Sequence, residues 1–218
     1  MNTTQLKQIV LATVLVATTT ALAGASSTSI TLDANSSLKK QGWEEVGGIA
    51  PTIKETGGKK ILVFDDQSSS DSSGCFFTIP EALVKKALER GFALTFTLRW
   101  EGKPVAHTIE VLLGENRIFL ALNNTPKEQN VVVLGYSENV SGKVDRPNKF
   151  HTWKLVWSPN GQTLLYADGD KVVDNSAMLT TTHSSKTGRI KIGGVHGLSK
   201  ERTGRLELKS ASFELLDK

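Results

Sequence analysis

The chain of 218 residues has little cysteine: its single one, Cys75, limits how the fold can be held together. One cysteine cannot form a disulfide within a chain, so stability must come from packing. A bacterial lipoprotein would need a cysteine directly after its export cleavage site, and Cys75 does not follow such a site. The sequence therefore predicts neither a disulfide framework nor a lipid anchor attached through cysteine.

The sequence also lacks runs of charge of one sign. Its 26 Lys and Arg residues are interspersed with 22 Asp and Glu residues, which leaves a formal net charge of +4. Proteins that bind nucleic acids or membrane surfaces usually gather their basic residues in one patch or along one helix. The even spread predicts an ordinary solvated surface and no nucleic-acid partner.

Only one long apolar run occurs, and it is short for a membrane span. MNTTQLKQ carries one lysine and no acid, IVLATVLVATTTALA follows, and Ala21-Leu22-Ala23 puts small residues just before Gly24. A span needs about 20 apolar residues, and threonines dilute this run. The pattern predicts a secretory signal peptide over residues 1–23 rather than an N-terminal anchor. Export without disulfides favours a secreted, periplasmic or cell-surface protein of a bacterium, with no membrane span in the mature chain.

After removal of this segment about 190 residues remain, enough for one domain with a sizeable core. Residues 24–40 are polar and rich in serine, which predicts a flexible lead-in in which Ser29-Ile30-Thr31-Leu32 could form a first strand. Residues 41–218 are expected to make up the domain.

One helix is predicted, over about residues 80–90. Thr78 and Glu81 have the spacing of a capping box, Pro80 suits a first turn, and Gly91 is a stop signal. The apolar positions of EALVKKALER form one stripe. The helix is therefore expected to cover one end of a sheet.

Most of the remaining sequence alternates apolar and polar residues with the period of β-strands. FALTFTLRW (92–100), VAHTIEVLL (105–113) and RIFLALN (117–123) are three such runs, separated by turn sequences. They predict three neighbouring strands of one antiparallel sheet. If their apolar residues share a face, Leu113 lies opposite Ile118, and Glu110 lies opposite Ala121.

Two glycine turns lie close together in FHTWKLVWSPNGQTLLYADGDKVVDN (150–175). Asn160-Gly161 and Asp168-Gly169 supply the positive φ angles that short hairpin loops need. They predict an antiparallel meander that serves the fold. Its buried face is expected to carry Trp153, Leu155, Trp157, Leu164 and Tyr166. With the other strands, the meander predicts an all-β two-sheet sandwich of about ten to twelve strands.

The order of these segments resembles the concanavalin A-like jelly roll. Tyr166-Ala167-Asp168-Gly169 and Ile192-Gly193-Gly194 match positions in laminin-G-type domains and in lectin-like modules of secreted sialidases. The resemblance covers roughly residues 90–216 in pattern and implies an all-β, concanavalin A-like jelly-roll β-sandwich. It also implies a carbohydrate-binding or adhesion module outside the cytoplasm. Because these motifs describe turns and core, they indicate fold more strongly than function.

The polar side of the first three strands is the candidate ligand-binding site. The predicted register places Thr97, Thr108 and Asn123 side by side, flanked by Arg99 and Glu110. Such a floor could hydrogen-bond sugar hydroxyls, since bonds to charged groups are the strong ones. Threonine is equally typical of a solvated sheet face, so both interpretations stay open.

A sugar site also calls for an exposed aromatic ring. Phe119 and Tyr136 are the candidates on the polar side, whereas Trp100, Trp153 and Trp157 are expected to be buried.

No cofactor is expected, and a calcium ion is the alternative, with the loop carboxylates of Asp168 and Asp170 as its candidate ligands. Lectins and laminin-G domains often hold calcium with such groups, which is what the resemblance implies here. The spacing is not that of an EF-hand loop. Asp168-Gly169 is also fully explained as a hairpin turn.

Catalysis is an alternative function. Retaining glucanases of this fold aim two carboxylates at the sugar from one strand. The nearest pattern is Glu110-Val-Leu-Leu-Gly-Glu115, in which Leu112 replaces the middle acid and Glu115 falls in a turn. The primary prediction is thus a non-catalytic glycan-binding or accessory surface module. A glycoside hydrolase or polysaccharide lyase with an unrecognised site, and a structural or protein-interaction domain, are the alternatives.

Overall fold

The computed structural model describes residues 29–66, 73–102, 107–124, 129–134, 139–143, 149–175, 187–193 and 204–217. Within them lie fifteen strands, the α-helix α1 (Glu81–Arg90) and a short 3-10 helix, Lys39–Gln41. The strands are β1 Ser29–Asp33, β2 Glu44–Gly47, β3 Thr52–Thr56, β4 Lys59–Asp66, β5 Ser73–Ile79, β6 Phe92–Gly102, β7 His107–Leu113, β8 Asn116–Asn124, β9 Gln129–Leu134, β10 Asn139–Lys143, β11 His151–Trp157, β12 Thr163–Ala167, β13 Asp170–Asn175, β14 Gly188–Gly193 and β15 Gly204–Leu215. No helix in these residues is long and apolar enough to cross a membrane.

The strands form two antiparallel sheets. Sheet A has eight strands in the order β13-β12-β11-β6-β15-β4-β3, and β1 also pairs with β15. Sheet B has seven strands in the order β10-β9-β8-β7-β14-β5-β2. The prediction of an all-β sandwich with one short helix is therefore confirmed.

The hydrophobic core lies between the two sheets, because each strand directs alternate residues inward. In sheet A, β6 contributes Phe92, Leu94, Phe96, Leu98 and Trp100, all buried. Sheet B faces them with Ile109, Val111, Leu113, Ile118 and Leu120. Helix α1 adds Leu83, Val84 and Ala87 to the same core. Each fully buried large side chain contributes about 1.5–3 kcal/mol to stability. Because alternate residues point into the core, the residues between them are left for the outer faces of the sheets.

Strand β1 belongs to this sandwich. It pairs with β15 from Ser29 opposite Glu214 to Asp33 opposite Ser210, and its Leu32 is buried. The backbone carbonyl of Thr31 accepts a hydrogen bond of 2.9 Å from the indole N–H of Trp43. The described residues of the predicted lead-in 24–40 therefore include a strand of sheet A.

Strands β6 and β7 do not form the predicted hairpin. β6 pairs with β11 and β15 in sheet A, whereas β7 pairs with β8 and β14 in sheet B. The expectation that the first three runs share one sheet is wrong. Alternation of apolar residues shows which side of a strand is buried, but it does not show which sheet the strand joins.

Strands β7 and β8 form the predicted hairpin in a different register. Leu113 pairs with Asn116, and Glu110 pairs with Phe119. Gly114, with a φ of 58°, and Glu115 make the short loop between them. Because side chains alternate with a period of two, the observed register keeps the same residues on the buried face as the predicted one.

The meander from β11 to β13 is present, with one correction. Trp153, Leu155 and Trp157 are buried, but Leu164 and Tyr166 lie on the outer face. The first loop runs through Gln162, whose carbonyl accepts the Ser158 N–H at 3.0 Å. Trp157 consequently pairs with Thr163, and the inward residues of β12 are Thr163, Leu165 and Ala167.

Helix α1 occupies the predicted residues, but its start differs from the predicted capping box. Pro80 is the N-cap residue, no side chain caps the helix, and Thr78 belongs to β5. The helix ends as expected at Gly91, whose φ is 87° and whose N–H donates to the Ala87 carbonyl at 2.8 Å.

Candidate functional site

The outer face of sheet A carries short polar side chains in two adjacent rows. Thr152, Thr97 and Ser210 form one row, because Thr97 pairs with both of the others. Thr95 and Ser212, which pair with each other, belong to the next row. We call these five residues the hydroxyl floor. All five are exposed or partly exposed.

A β-bulge in β15 shapes this floor. The register of β15 against β6 shifts between Leu208 and Ser210, so Lys209 has no cross-strand partner. Leu208 remains buried, whereas Ser210 pairs with Thr97 and is exposed. Bulges re-aim side chains in this way and are common beside functional sites.

Two partly exposed aromatic residues lie beside the hydroxyl floor. Tyr166 on β12 pairs with Lys154, the residue of β11 that pairs with Thr95. Phe150 directly precedes β11, and its ring centroid lies 5.0 Å from the Arg99 guanidinium carbon and 3.9 Å from Lys209 Nζ. Aromatic rings and short polar side chains therefore lie on the same face of sheet A.

A buried carboxylate lies next to Arg99 in the same face. The Glu207 side chain is 2% exposed, and its Oε2 accepts hydrogen bonds from Arg99 Nε and Nη2, each at 2.7 Å. Its Oε1 lies 3.2 Å from Arg205 Nε and 3.7 Å from Lys54 Nζ. A buried carboxylate is tolerated only with such partners.

The charge of Glu207 follows from these contacts. Burial is the largest influence and by itself raises the pKa of this carboxyl. The hydrogen bond and charge of Arg99, with the charges of Lys54 and Arg205, outweigh it, so the pKa lies below its usual range. Glu207 is therefore ionised at neutral pH.

The five predicted ligand-binding residues are divided between the two sheets. Thr97 and Arg99 are on β6 of sheet A. Thr108 and Glu110 are on β7, and Asn123 is on β8, both in sheet B. The predicted side-by-side arrangement is therefore wrong, because β6 does not pair with β7. The side chains of Thr108 and Asn123 lie outside the described part of the structure.

Sheet B has charged contacts of its own on its outer face. Glu110 is 5% exposed, and its Oε1 lies 2.7 Å from Arg117 Nε. The Arg189 guanidinium carbon lies 5.6 Å from the ring centroid of Phe76. Glu115 is an exposed residue of the β7–β8 turn, as the sequence predicts.

The Asp168 carboxylate links the turn after β12 to the strand β11. Its Oδ1 accepts the Thr152 N–H at 2.8 Å, and its Oδ2 lies 2.6 Å from His151 Nδ1. The Thr152 hydrogen bond is the main reason that the pKa of Asp168 is lowered; burial, the next influence, opposes it, and the hydrogen bond and charge of His151 add to the lowering. Asp168 and Gly169 have φ angles of 52° and 95°, which confirms the predicted turn.

The predicted calcium ligands do not belong to a larger ligand cluster in the residues that the structure describes. No group of three or more His, Cys, Asp or Glu side chains placed to hold a metal occurs there. Asp170 is exposed at the start of β13. Calcium at Asp168 and Asp170 remains a prediction.

Several residues of the face were missed by sequence reasoning. The alternation in LKSASFEL would have shown that Ser210 and Ser212 point away from the buried Ala211 and Phe213. Nothing local to the sequence shows that β15 is the neighbour of β6. Both predicted aromatic residues are affected by the limits of the described part: all of Tyr136 lies outside it, and so does the side chain of Phe119.

The single cysteine is not a candidate nucleophile. Cys75 is fully buried, and burial, followed by the nearby charge of Glu45, raises the pKa of its thiol. A thiol that stays protonated is a poor nucleophile, so Cys75 serves packing, as predicted.

Comparison with known proteins gives structural neighbours alone: no family model and no curated protein matches the sequence. A carbohydrate esterase of the Shiga toxin-encoding bacteriophage phi24B aligns over 86% of this chain and 98% of its own, with a TM-score of 0.61 and 14% identity. The binding domain of botulinum neurotoxin DC, solved with rat synaptotagmin II, aligns over 80% of this chain with a TM-score of 0.58 and 14% identity. A botulinum neurotoxin type C structure concerned with two ganglioside molecules gives 0.56 and 14% over the same share.

At 14% identity, these structural alignments show a shared fold alone. The chain covers 43% of the type C neurotoxin chain and 44% of the DC chain, so less than half of each neurotoxin structure is matched.

Proposed function

We propose that this protein is a non-catalytic glycan-binding module that holds sugars on the hydroxyl floor of sheet A. The observation that carries the proposal is the combination of five exposed or partly exposed Ser and Thr residues, of which Thr97 and Thr152 share a hydrogen bond of 3.2 Å, with the partly exposed rings of Tyr166 and Phe150. Sugar hydroxyls can exchange hydrogen bonds with threonine and serine, and the apolar side of a sugar ring can pack on an aromatic face. Rigid strands hold these groups, so little ordering is needed on binding.

Other findings support the same function. The motifs Tyr166-Ala167-Asp168-Gly169 and Ile192-Gly193-Gly194 favour a concanavalin A-like jelly roll of the laminin-G type. One structural neighbour is a carbohydrate esterase, and another was studied with gangliosides. The signal-peptide pattern in residues 1–23 favours export to a bacterial periplasm or cell surface, where glycans are accessible.

The alternative of a protein-interaction domain is less well supported. Such a domain would be expected to expose a large apolar patch. Among the described residues, Ile53 alone is a strongly exposed large apolar side chain, at 52%. A single exposed side chain is ordinary for a soluble surface.

A glycan array probed with the chain from Gly24 onward tests the proposal. We expect selective binding that falls at least about five-fold in the Thr97→Ala/Ser210→Ala double variant, because two hydrogen bonds of about 0.5–1.5 kcal/mol each are lost. Thr78→Ala is the matched control, since Thr78 is exposed on β5 of sheet B. No binding by a folded protein, or equal losses in both variants, would overturn the proposal.

The same array, run with calcium and with a chelator, tests the predicted metal site. If Asp168 and Asp170 hold calcium needed for binding, the chelator abolishes the signal, and Asp170→Ala does the same in the presence of calcium. Unchanged binding with the chelator excludes a required calcium ion.

Ester hydrolysis is a second candidate function, favoured by one contact. His151 Nδ1 lies 2.6 Å from Asp168 Oδ2, which is the pairing that orients a histidine base in hydrolytic triads. Hydrolysis of acetylated sugars that disappears in His151→Ala, while the fold is retained, would support an esterase. Glycan binding without any hydrolysis would support the binding module.

A further inference from the structure

Positive charge is in excess at one end of the hydroxyl floor. We define the basic cluster as the four cations Lys54, Arg99, Arg205 and Lys209, which lie on β3, β6 and β15 of sheet A. Three acidic residues accompany them: Glu207; Asp65, whose Oδ1 lies 3.9 Å from Arg205 Nε; and Glu101, which pairs with Arg205 across β6 and β15. The cations therefore outnumber the acidic residues by one in this part of an otherwise evenly charged sequence.

The carboxylate and the cations differ in their access to solvent. The Glu207 side chain is 2% exposed, whereas those of Arg99, Arg205 and Lys54 are 28%, 37% and 46% exposed. The charge of Glu207 is buried below the surface, whereas these three cations reach it; the carboxylate of Asp65, beside Arg205, is 40% exposed. A ligand that approaches this face consequently meets an electropositive surface.

The cations next to the floor are also held in place. Arg99 donates two hydrogen bonds to Glu207 and lies over the Phe150 ring, 5.0 Å from its centroid. Lys209, directed outward at the bulge, lies 3.9 Å from the same centroid. Cation–π contacts of this kind stabilise the position of a charge, so less freedom is lost when an anion binds.

We propose that the basic cluster selects glycans that carry an anionic group, a carboxylate or a sulfate, on a sugar bound at the hydroxyl floor beside Phe150. This inference rests on the proposed glycan-binding function and adds a substrate class to it. The positive surface is compact and shares its face with hydroxyls and an aromatic ring. Those features suit a short charged group on a sugar better than a long polyanion, which needs an extended basic track.

Binding of carboxylated, sulfated and neutral oligosaccharides of matched length, measured by titration calorimetry with the wild type and variants, tests the inference. Lys209→Gln is the main variant, because Lys209 contacts Phe150 and makes no contact with Glu207 that would leave a buried charge unpaired. We expect it to weaken binding of the anionic sugars at least about five-fold and to leave binding of neutral sugars unchanged. The carboxylated and sulfated arms identify which anion is recognised.

Two further variants make the test independent of folding defects. Arg99→Gln/Glu207→Gln removes a positive and a negative group together, so no buried charge is left unpaired, and it should also weaken binding of anionic sugars. Arg189→Gln is the matched control, since Arg189 lies over Phe76 on the other sheet. It removes the same charge and should have no effect.

Different failures have different meanings. Equal binding of neutral and anionic sugars by the wild type, or equal losses in Lys209→Gln and Arg189→Gln, would overturn the anionic selection while leaving the glycan-binding function standing. No binding of any sugar would refute the proposed function itself. Equally tight binding of double-stranded DNA would show non-specific attraction of polyanions and would also overturn the inference.

Discussion

At the residue scale, Asp168 shows how one side chain can fix both a turn and a strand pair. Its φ of 52° lies in the left-handed region, where Asp and Asn are favoured over most residues. Its carboxylate accepts the Thr152 N–H at 2.8 Å and contacts His151 at 2.6 Å, while its own N–H donates to the Thr152 carbonyl at 2.8 Å. The turn thereby joins the ends of β11 and β12.

We expect Asp168→Ala to lower the free energy of unfolding by about 1–2 kcal/mol, through lost hydrogen bonds and backbone strain. Asp168→Asn should lose less, about 0.5–1 kcal/mol, because it keeps an acceptor for Thr152 and tolerates the positive φ, and because the charge is half exposed. Urea unfolding at pH 7 measures both changes.

The lowered pKa of Asp168 gives this contribution a pH dependence. A carboxylate whose pKa is lower in the folded state stabilises fully above its unfolded pKa, about 3.9, and loses that effect as the pH falls through the folded value. The stability difference between the wild type and Asp168→Asn should therefore shrink between pH 5 and the acid limit of the fold. A constant difference over that range would show that the charge is irrelevant.

Residue-scale prediction from sequence succeeds where a conformation is dictated locally. Asp168-Gly169 and the buried Trp153 and Trp157 are of this kind. The burial of Glu207 could not be predicted, because a glutamate in an alternating strand is normally solvated. Its burial depends on Arg99, Arg205 and Lys54, and Arg99 and Lys54 come from strands far away in the sequence.

At the element scale, β15 has the largest part in organising the candidate site. It pairs with β6 over its whole length, and with β4 and β1 on its other side. The bulge at Lys209 lets one strand supply both the Ser210 of the hydroxyl floor and a cation of the basic cluster. A one-residue irregularity thus brings the proposed sugar-binding and anion-binding groups together.

Element boundaries and types could be predicted from sequence more readily than registers. Helix α1, β6 and the β11–β13 meander occupy the predicted segments. The β7–β8 pairing is displaced by the short Gly114-Glu115 loop, and β12 has the opposite face inward because its loop includes Gln162. Loop length sets the register. The alternation of apolar residues does not determine it, because a strand can shift by an even number of residues with the same face buried, and a shift by an odd number buries the opposite face.

At the scale of the whole molecule, strands that are consecutive in sequence often lie in different sheets. β6 is in sheet A and β7 is in sheet B. β14 is in sheet B, although the strands before and after it in the sequence, β13 and β15, are both in sheet A. Such crossings divided the predicted ligand-binding residues between two sheets. They depend on contacts between distant strands, which the period of a single strand does not encode.

The strand β1 provides a test of where the folded unit begins. The sequence suggested a domain of residues 41–218, yet β1 pairs with β15, and its Ile30 and Leu32 are buried. Each of these side chains contributes about 1.5–3 kcal/mol when buried, against a total stability of about 5–15 kcal/mol for a typical domain. We expect a chain that starts at Gln41 to unfold at a much lower urea concentration than one that starts at Gly24, and to expose the edge of β15 to aggregation. A chain that starts at Ser29 is the control, because it keeps β1 and should match the Gly24 chain. Equal urea midpoints for all three would show that β1 adds nothing to the fold and that the domain begins at residue 41.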